Sequence, residues 1–249
     1  MLVLIVPTRW ETTAVLRSLP RALPDPAWDV PAWRAGGLLV VEPGMGPDLA
    51  AALLPRLELL KPQTVWLYGW CGGLTPDLGA GDLVLADATV SVGEDGTATR
   101  ISHPVPDSLV AELRRLAHKL GQEMVVGPAL TSAHVLSSVQ QKQAGAISGA
   151  VAVEMEAGPL AHWVSDRSLP FVHLRVVLDP VQSALPATEL PTDDHGYARR
   201  SAILSHALTH PGEWLALWRL FRQIRIARRV MTDVIEALVR PGGPLAPEP

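Results

Sequence analysis

Apolar residues fall in short, mostly unbroken runs at 2–6, 38–41, 65–68, 82–86, 125–130, 150–153 and 171–177. Continuous rather than alternating runs suit strands covered on both faces. Between many of them lie stretches with helical spacing, at 11–19, 48–60, 107–120 and 157–166. Strands that alternate with helices predict a layered α/β fold. The expected architecture is a three-layer α/β/α sandwich around a central mixed, mostly parallel sheet. From about 197 to 239 the pattern is helical, with a break near His210-Pro211-Gly212. The expected organisation is one domain over 1–240, with 197–239 as a helical extension and 241–249 as a flexible tail. The proline-rich stretch 179–192 reads as a loop, a candidate lid.

The unusual polar and glycine clusters follow the ends of the expected strands. They are Glu11, Gly44-Met45-Gly46, Gly69-Trp70-Cys71-Gly72-Gly73, the stretch from Thr131 to His134, Glu154-Met155-Glu156, and Asp179. Ligands in open α/β sheets bind beyond the carboxyl ends of strands. Six such clusters therefore predict one shared site, provided the strands run parallel.

Composition narrows the function classes. A length of 249 residues suits one α/β domain, and 48% hydrophobic against 18% charged residues predicts a folded core, not disorder. A net charge of −4 gives no footprint for nucleic acid. The single cysteine, Cys71, excludes an internal disulfide and a multi-cysteine zinc site, which fits a reducing cytoplasm. No metal is expected. No run approaches the ~18 apolar residues of a membrane span, and the first residues lack the basic region of a signal peptide.

Several segments carry a family resemblance. Ala152-Val153-Glu154-Met155-Glu156-Ala157, followed by the segment from Leu169 to Asp179, resembles the methylthioadenosine/S-adenosylhomocysteine nucleosidases and their phosphorylase relatives. In that superfamily a V-E-M-E motif precedes P-F-x-x-x-R-x-x-S-D by about one helix and one strand. Gly72-Gly73-Leu74 and Gly79-Ala80-Gly81-Asp82 look like its A-G-G-L and K-V-G-D-I elements. Gly44-Met45-Gly46 looks like its S-G-I-G element. The order and spacing over about 1–180 make the match stronger than any single motif.

The resemblance implies a nucleoside phosphorylase-like fold, a homodimer, and cleavage of a base–ribose bond. Such cleavage passes through an oxocarbenium-like cation and needs a protonated leaving group. Asp179 then matches the general acid that protonates the purine. Glu156 matches the glutamate that accepts hydrogen bonds from the ribose hydroxyls, with Met155 packed on the sugar and Glu154 beside it. Glu11 is the candidate for orienting the attacking water. Val135 and Leu136 match positions that grip and cover the base, with His134 adjacent. Gly44, Gly46, Gly69, Gly72 and Gly73 form the glycine-rich loops.

Departures shape the details. Trp70 stands where relatives have a small or hydroxylated residue, so it reshapes or blocks the pocket. Leu178 replaces the serine before the aspartate, and Cys71 reads as a small buried residue. The phosphorylases' arginine before the glycine-rich turn is missing, leaving Arg9 and the Gly44–Gly46 amides as thin support for phosphate. Water is therefore favoured over phosphate, and no cofactor is expected; phosphate is the co-substrate in the phosphorylase alternative. A catalytically silent nucleoside- or lipid-binding relative is the third reading.

In the extension, Trp214, Leu217, Trp218, Phe221, Ile224, Val230, Met231 and Val234 can share one helical stripe. Arg219, Arg222, Arg225, Arg228 and Arg229 form a basic counterpart. Such a helix lies on a membrane surface or packs on the core. The extension looks like that of hopanoid-associated nucleosidases, which implies adenosylhopane as substrate and peripheral contact with the inner face of a membrane.

Overall fold

The computed structural model describes residues 1–92, 97–185 and 214–246. The expected break at His210–Gly212, the helical stretch before Trp214, the proline-rich stretch beyond Leu185 and the last three tail residues lie outside it.

Short strands and helices follow one another along the first half. They are β1 (Leu2–Ile5), α1 (Arg9–Arg17), β2 (Leu23–Pro24), β3 (Ala32–Ala35), β4 (Leu38–Val41), α2 (Pro47–Ala52), α3 (Leu54–Leu60) and β5 (Thr64–Gly73). The second half contributes β6 (Leu83–Val92), β7 (Ala98–Ser102), α4 (Asp107–Lys119), β8 (Met124–Thr131), α5 (Val139–Ala146) and β9 (Ala152–Glu154). It ends with α6 (Ala157–Asp166), β10 (Phe171–Asp179) and α7 (Trp214–Leu238). The helix expected over 48–60 is two pieces, because Pro55 at the start of α3 has no N–H to continue α2.

Two-residue periodicity sorts the buried side chains into two layers. Leu4, Leu38, Val40, Trp66 and Tyr68 face one core with Ala14 and Val15 of α1, Leu113 of α4 and Met231 of α7. Their chain neighbours Val3, Ile5, Leu39, Val41, Val65 and Leu67 face a second core with Leu57 of α3 and Leu160 of α6. Both faces being covered explains why the strands read as unbroken apolar runs. The three-layer sandwich is therefore observed.

The sheet is mixed. Parallel ladders join β1 to β4 and β5, β5 to β10, β6 to β8, and β8 to β9. Antiparallel ladders join β10 to β6 and β5 to β9, and β2, β3 and β7 pair antiparallel at the periphery. Because β5 pairs with both β9 and β10, strands β5, β10, β6, β8 and β9 close into a ring. This amends the expectation of clusters beyond parallel strand ends. Gly69–Gly73 is not a turn after β5 but its second half. The clusters meet because the closed ring brings β9, running against β5 and β10, back onto their carboxyl ends.

The expected stripe on α7 also divides. Ala227, Val230, Met231, Val234, Ile235 and Leu238 are buried against the sheet, and the Tyr68 hydroxyl donates to the Met231 carbonyl at 2.7 Å. Trp214, Leu215, Trp218 and Phe221 in the leading turns are exposed. Within the segment expected as a tail, Leu245 is buried in the first core, and its N–H donates to the Leu238 carbonyl at 3.0 Å.

Candidate active site

Six segments converge on one cavity of about 160 Å³. The β1–α1 turn brings Pro7 and Thr8, and the first turn of α1 brings Glu11; the β4–α2 turn brings Met45; β5 brings Trp70, Cys71 and Gly72. The β8–α5 turn brings His134, Val135 and Leu136; the β9–α6 turn brings Glu154, Met155 and Glu156; β10 brings Arg175, Leu178 and Asp179. Leu185 completes the lining. The acids expected from sequence, with Met155, Trp70 and the stretch from His134 to Leu136, thus meet here. His134 and Val135 sit exposed at the rim, not against the buried acids. Of the five expected glycines only Gly72 lines the cavity; Gly44, Gly46, Gly69 and Gly73 lie outside the lining, and a Cβ on Gly73 would meet Leu78, Val177 and Pro180 instead.

Arg175 organises one wall. Its place in the middle of β10, paired with Gly69 of β5, buries the guanidinium to 1% exposure. It donates to Glu154 Oε2 at 2.5 Å, Glu156 Oε2 at 3.0 Å, the Trp70 carbonyl at 3.2 Å and His173 Nε2 at 2.9 Å. A buried charge needs this degree of pairing. Arg175 stands within the P-F-x-x-x-R motif, yet its role is not legible from sequence.

The three glutamates differ in what remains free. Glu154 Oε2 also accepts from the N–H groups of Glu156 and Ala157 at 3.0 and 2.8 Å, so it caps α6, and Thr131 donates to its Oε1 at 2.5 Å. Glu156 Oε1 accepts from the Gly46 N–H at 3.1 Å. Gly46 has φ +120°, a region that favours glycine, which lets its amide turn toward that carboxylate. Glu11 is the third residue of a capping box begun by Thr8. Its Oε2 accepts from the Thr8 N–H at 2.7 Å, and its Oε1 accepts from the Trp70 N–H at 2.5 Å. A Cβ on Gly69 would lie 2.6 Å from Glu11 Oε1 and 2.7 Å from Arg175 Nη1, so a side chain there displaces these two groups.

Burial raises the Glu156 carboxyl to about 7, opposed by Arg175. Burial also raises Glu11, opposed by its Thr8 hydrogen bond and by Arg175. Asp179 is pushed up to about 6 by burial, against the lowering effect of Lys142. Burial pushes the Cys71 thiol far up, consistent with a small packing residue. Lys142, fully buried on α5, meets Asp179 Oδ2 at 2.5 Å. Neither that helix nor that lysine was expected. The Ser138-x-x-Gln141 capping box at the helix start was the available signal.

Trp70 contributes main chain on both sides, its N–H to Glu11 and its carbonyl to Arg175. Its side chain and that of Leu178 pack beside the first core, and the indole N–H is buried with no partner. With Met45, Val135, Leu136 and Leu185 they supply apolar side chains to the cavity lining. Arg9 lines a separate groove with Trp10, Thr13 and Arg228. Among the described residues no group of His, Cys, Asp and Glu is arranged to hold a metal ion.

The fold and this arrangement define a member of a known family: the family model for the Phosphorylase superfamily matches residues 33–209, and the chain belongs to that superfamily. Among particular proteins, AMP nucleosidase of Escherichia coli (strain K12) is 31% identical over 112 residues, which cover 41% of this chain and 23% of that protein. The chain therefore spans under a quarter of the length of the curated relatives it matches. The structure of a 5′-methylthioadenosine/S-adenosylhomocysteine nucleosidase from Neisseria meningitidis, in complex with methylthio-immucillin-A, superposes with TM-score 0.69 at 18% identity. That match covers 94% of this chain and 96% of the other. Native futalosine hydrolase of Helicobacter pylori gives 0.68 at 17% identity, covering 94% and 97%. At these identities the likeness is one of fold.

Proposed function

We propose that this chain hydrolyses the N-glycosidic bond of an adenine nucleoside. The observation that carries the reading is one cavity holding a buried acid, Asp179, together with three buried glutamates organised by Arg175. Asp179, raised to about 6, keeps a protonated fraction of roughly a tenth at pH 7 and gives its proton to the departing base. Glu156 accepts hydrogen bonds from the ribose hydroxyls, and its charge favours the developing cation. Met155 packs on the sugar. Glu154 has its oxygens taken up by α6, Thr131 and Arg175, so it acts by holding the guanidinium and the helix start. Glu11 orients a water and takes its proton as the oxygen bonds to the anomeric carbon. The products are the free base and the free sugar.

Water rather than phosphate is supported by the cations at the cavity: Arg175 and Lys142 are each committed to carboxylates. A phosphate dianion needs donors that are not already engaged. The apolar lining residues Met45, Trp70, Leu178 and Leu185 support a nucleoside with an apolar 5′ extension, and adenosylhopane fits that chemistry. The exposed Trp214, Trp218 and Phe221 beside exposed Arg219, Arg222 and Arg225 support contact of α7 with an anionic bilayer surface. No helix among the described residues is long and apolar enough to cross a membrane.

The test is adenine release, followed by chromatography, from adenosylhopane, methylthioadenosine and AMP with and without inorganic phosphate. The expected result is phosphate-independent release, fastest from adenosylhopane, with Asp179→Asn slower by about 10²–10⁴. Strict phosphate dependence, with the correspondingly 5-substituted ribose 1-phosphate as product, overturns hydrolysis. Turnover of methylthioadenosine alone overturns the hopanoid substrate. Adenine binding without turnover, unaffected by Asp179→Asn, points instead to a binding protein.

A further inference from the structure

Lys142 is the only fully buried lysine among the described residues, and its surroundings are unusual for a structural tether. The ammonium lies 2.5 Å from Asp179 Oδ2. It also donates to the Asp179, Pro180 and Ser183 carbonyls at 3.2, 3.0 and 2.8 Å. A carbonyl cage alone would hold the segment after β10. The added contact to a carboxylate oxygen fixes the acid itself. The carboxyl takes a further hydrogen bond from the Asp179 backbone N–H, and the side chain lines the cavity.

We propose that Lys142 is a positioning residue for Asp179: its ammonium holds Oδ2, turns Oδ1 toward the base, and sets the pH range over which the acid carries its proton. The proposal rests on Asp179 as the general acid. No bond to Lys142 forms or breaks; the proton given to the base leaves from Oδ1, and the resulting carboxylate is left paired with the ammonium. That pairing makes the charged form of the acid less costly as the base departs.

The charged groups around Asp179 make Lys142 the one able to do this. β5 brings Cys71, whose thiol is neutral because burial drives it far up. The β9–α6 turn brings Glu154 and Glu156, and β10 itself brings Arg175; these three are engaged with one another. α5 brings Lys142, the partner whose charge lowers Asp179 against burial. α7 brings the neutral Gln223, which donates to Ser183 Oγ at 2.8 Å and so tethers the same segment without charge.

The experiment is the pH profile of kcat for wild type, Lys142→Gln, Lys142→Arg, Gln223→Ala and Asp179→Asn, each checked by circular dichroism. Removing the cation removes a lowering influence, so the acid keeps its proton to higher pH. The basic limb of Lys142→Gln should move alkaline by about 1–3 pH units. Lys142→Arg should restore the limb, and Gln223→Ala should leave it in place. A limb unmoved in folded Lys142→Gln, or moved equally in Gln223→Ala, overturns the proposal and leaves a tether. Should Lys142→Gln not fold, the wild-type profile decides: a limb below about pH 7 supports the proposal, and a limb above it overturns the proposal. Wild-type turnover in Asp179→Asn would instead remove the acid assignment on which the proposal stands.

Discussion

Replacing Arg175 with Met is the sharpest probe of how the glutamates are held. The guanidinium has hydrogen bonds to Glu154, Glu156, His173 and the Trp70 carbonyl, and all of this lies out of water. Met fills most of the volume but leaves buried carboxyls without their cation. Breaking a buried ion pair from one side costs about 3–5 kcal/mol. For a chain of this length, about 2–4 °C per kcal/mol gives a loss in Tm of about 6–20 °C. The sign with pH follows from the same contacts. Arg175 now lowers Glu156 and Glu11 against burial, so its removal raises both further. Carboxyls whose folded pKa lies above the unfolded value of about 4.3 contribute stability below that value, and lose it as pH rises through the folded one. The gap between variant and wild type should therefore be small near about pH 4.5 and grow to its largest near about pH 8. Thermal unfolding by circular dichroism across that range measures it. A gap below about 3 °C near pH 8, or one independent of pH, refutes the reasoning.

Three further outcomes follow from single contacts. Gly69→Ala pushes a methyl to within 2.6 Å of Glu11 Oε1 and 2.7 Å of Arg175 Nη1, so kcat should fall about tenfold to a hundredfold with helical content retained; steady-state kinetics would show it. Glu156 is raised to about 7, so wild type loses that group's contribution as pH climbs from about 4.5 to 7, whereas Glu156→Gln should give flatter denaturation midpoints over that range and a higher KM. Trp218→Ser with Phe221→Ser should weaken co-sedimentation with phosphatidylglycerol vesicles about a hundredfold, at about 1.5 kcal/mol or more per side chain; binding unchanged by both substitutions would dismiss the membrane contact.

The layers were legible in the sequence because their signals are local. Unbroken runs such as Leu38–Val41 report a strand covered on both sides, and the observed strand has those bounds. Polar peripheral pieces were not legible. β7, with the sequence Ala-Thr-Arg-Ile-Ser, has no buried residue, and its place is set by pairing with β6. α5 buries only Lys142, so its pattern shows no apolar stripe. Gly69–Gly73 looked like a turn because glycine usually marks one, yet here glycine admits Glu11, Arg175 and Asp179 against an extended strand. The acids of the site could be found from motifs. The cations could not be assigned, because the partners of Arg175 and Lys142 are fixed by ring closure and by α5, both long-range features.

The main chain of Trp70 has one more consequence. Glu11 and Arg175 are anchored to the backbone of that residue, not to its side chain. The chemistry is thereby insulated from whatever side chain occupies the position. A lineage can exchange a small residue for an indole there, and so redraw the outline of what the cavity accepts, while the reacting groups keep their places. Position 70 is the adjustable jaw of a fixed tool, and substrate range can drift there without first dismantling catalysis.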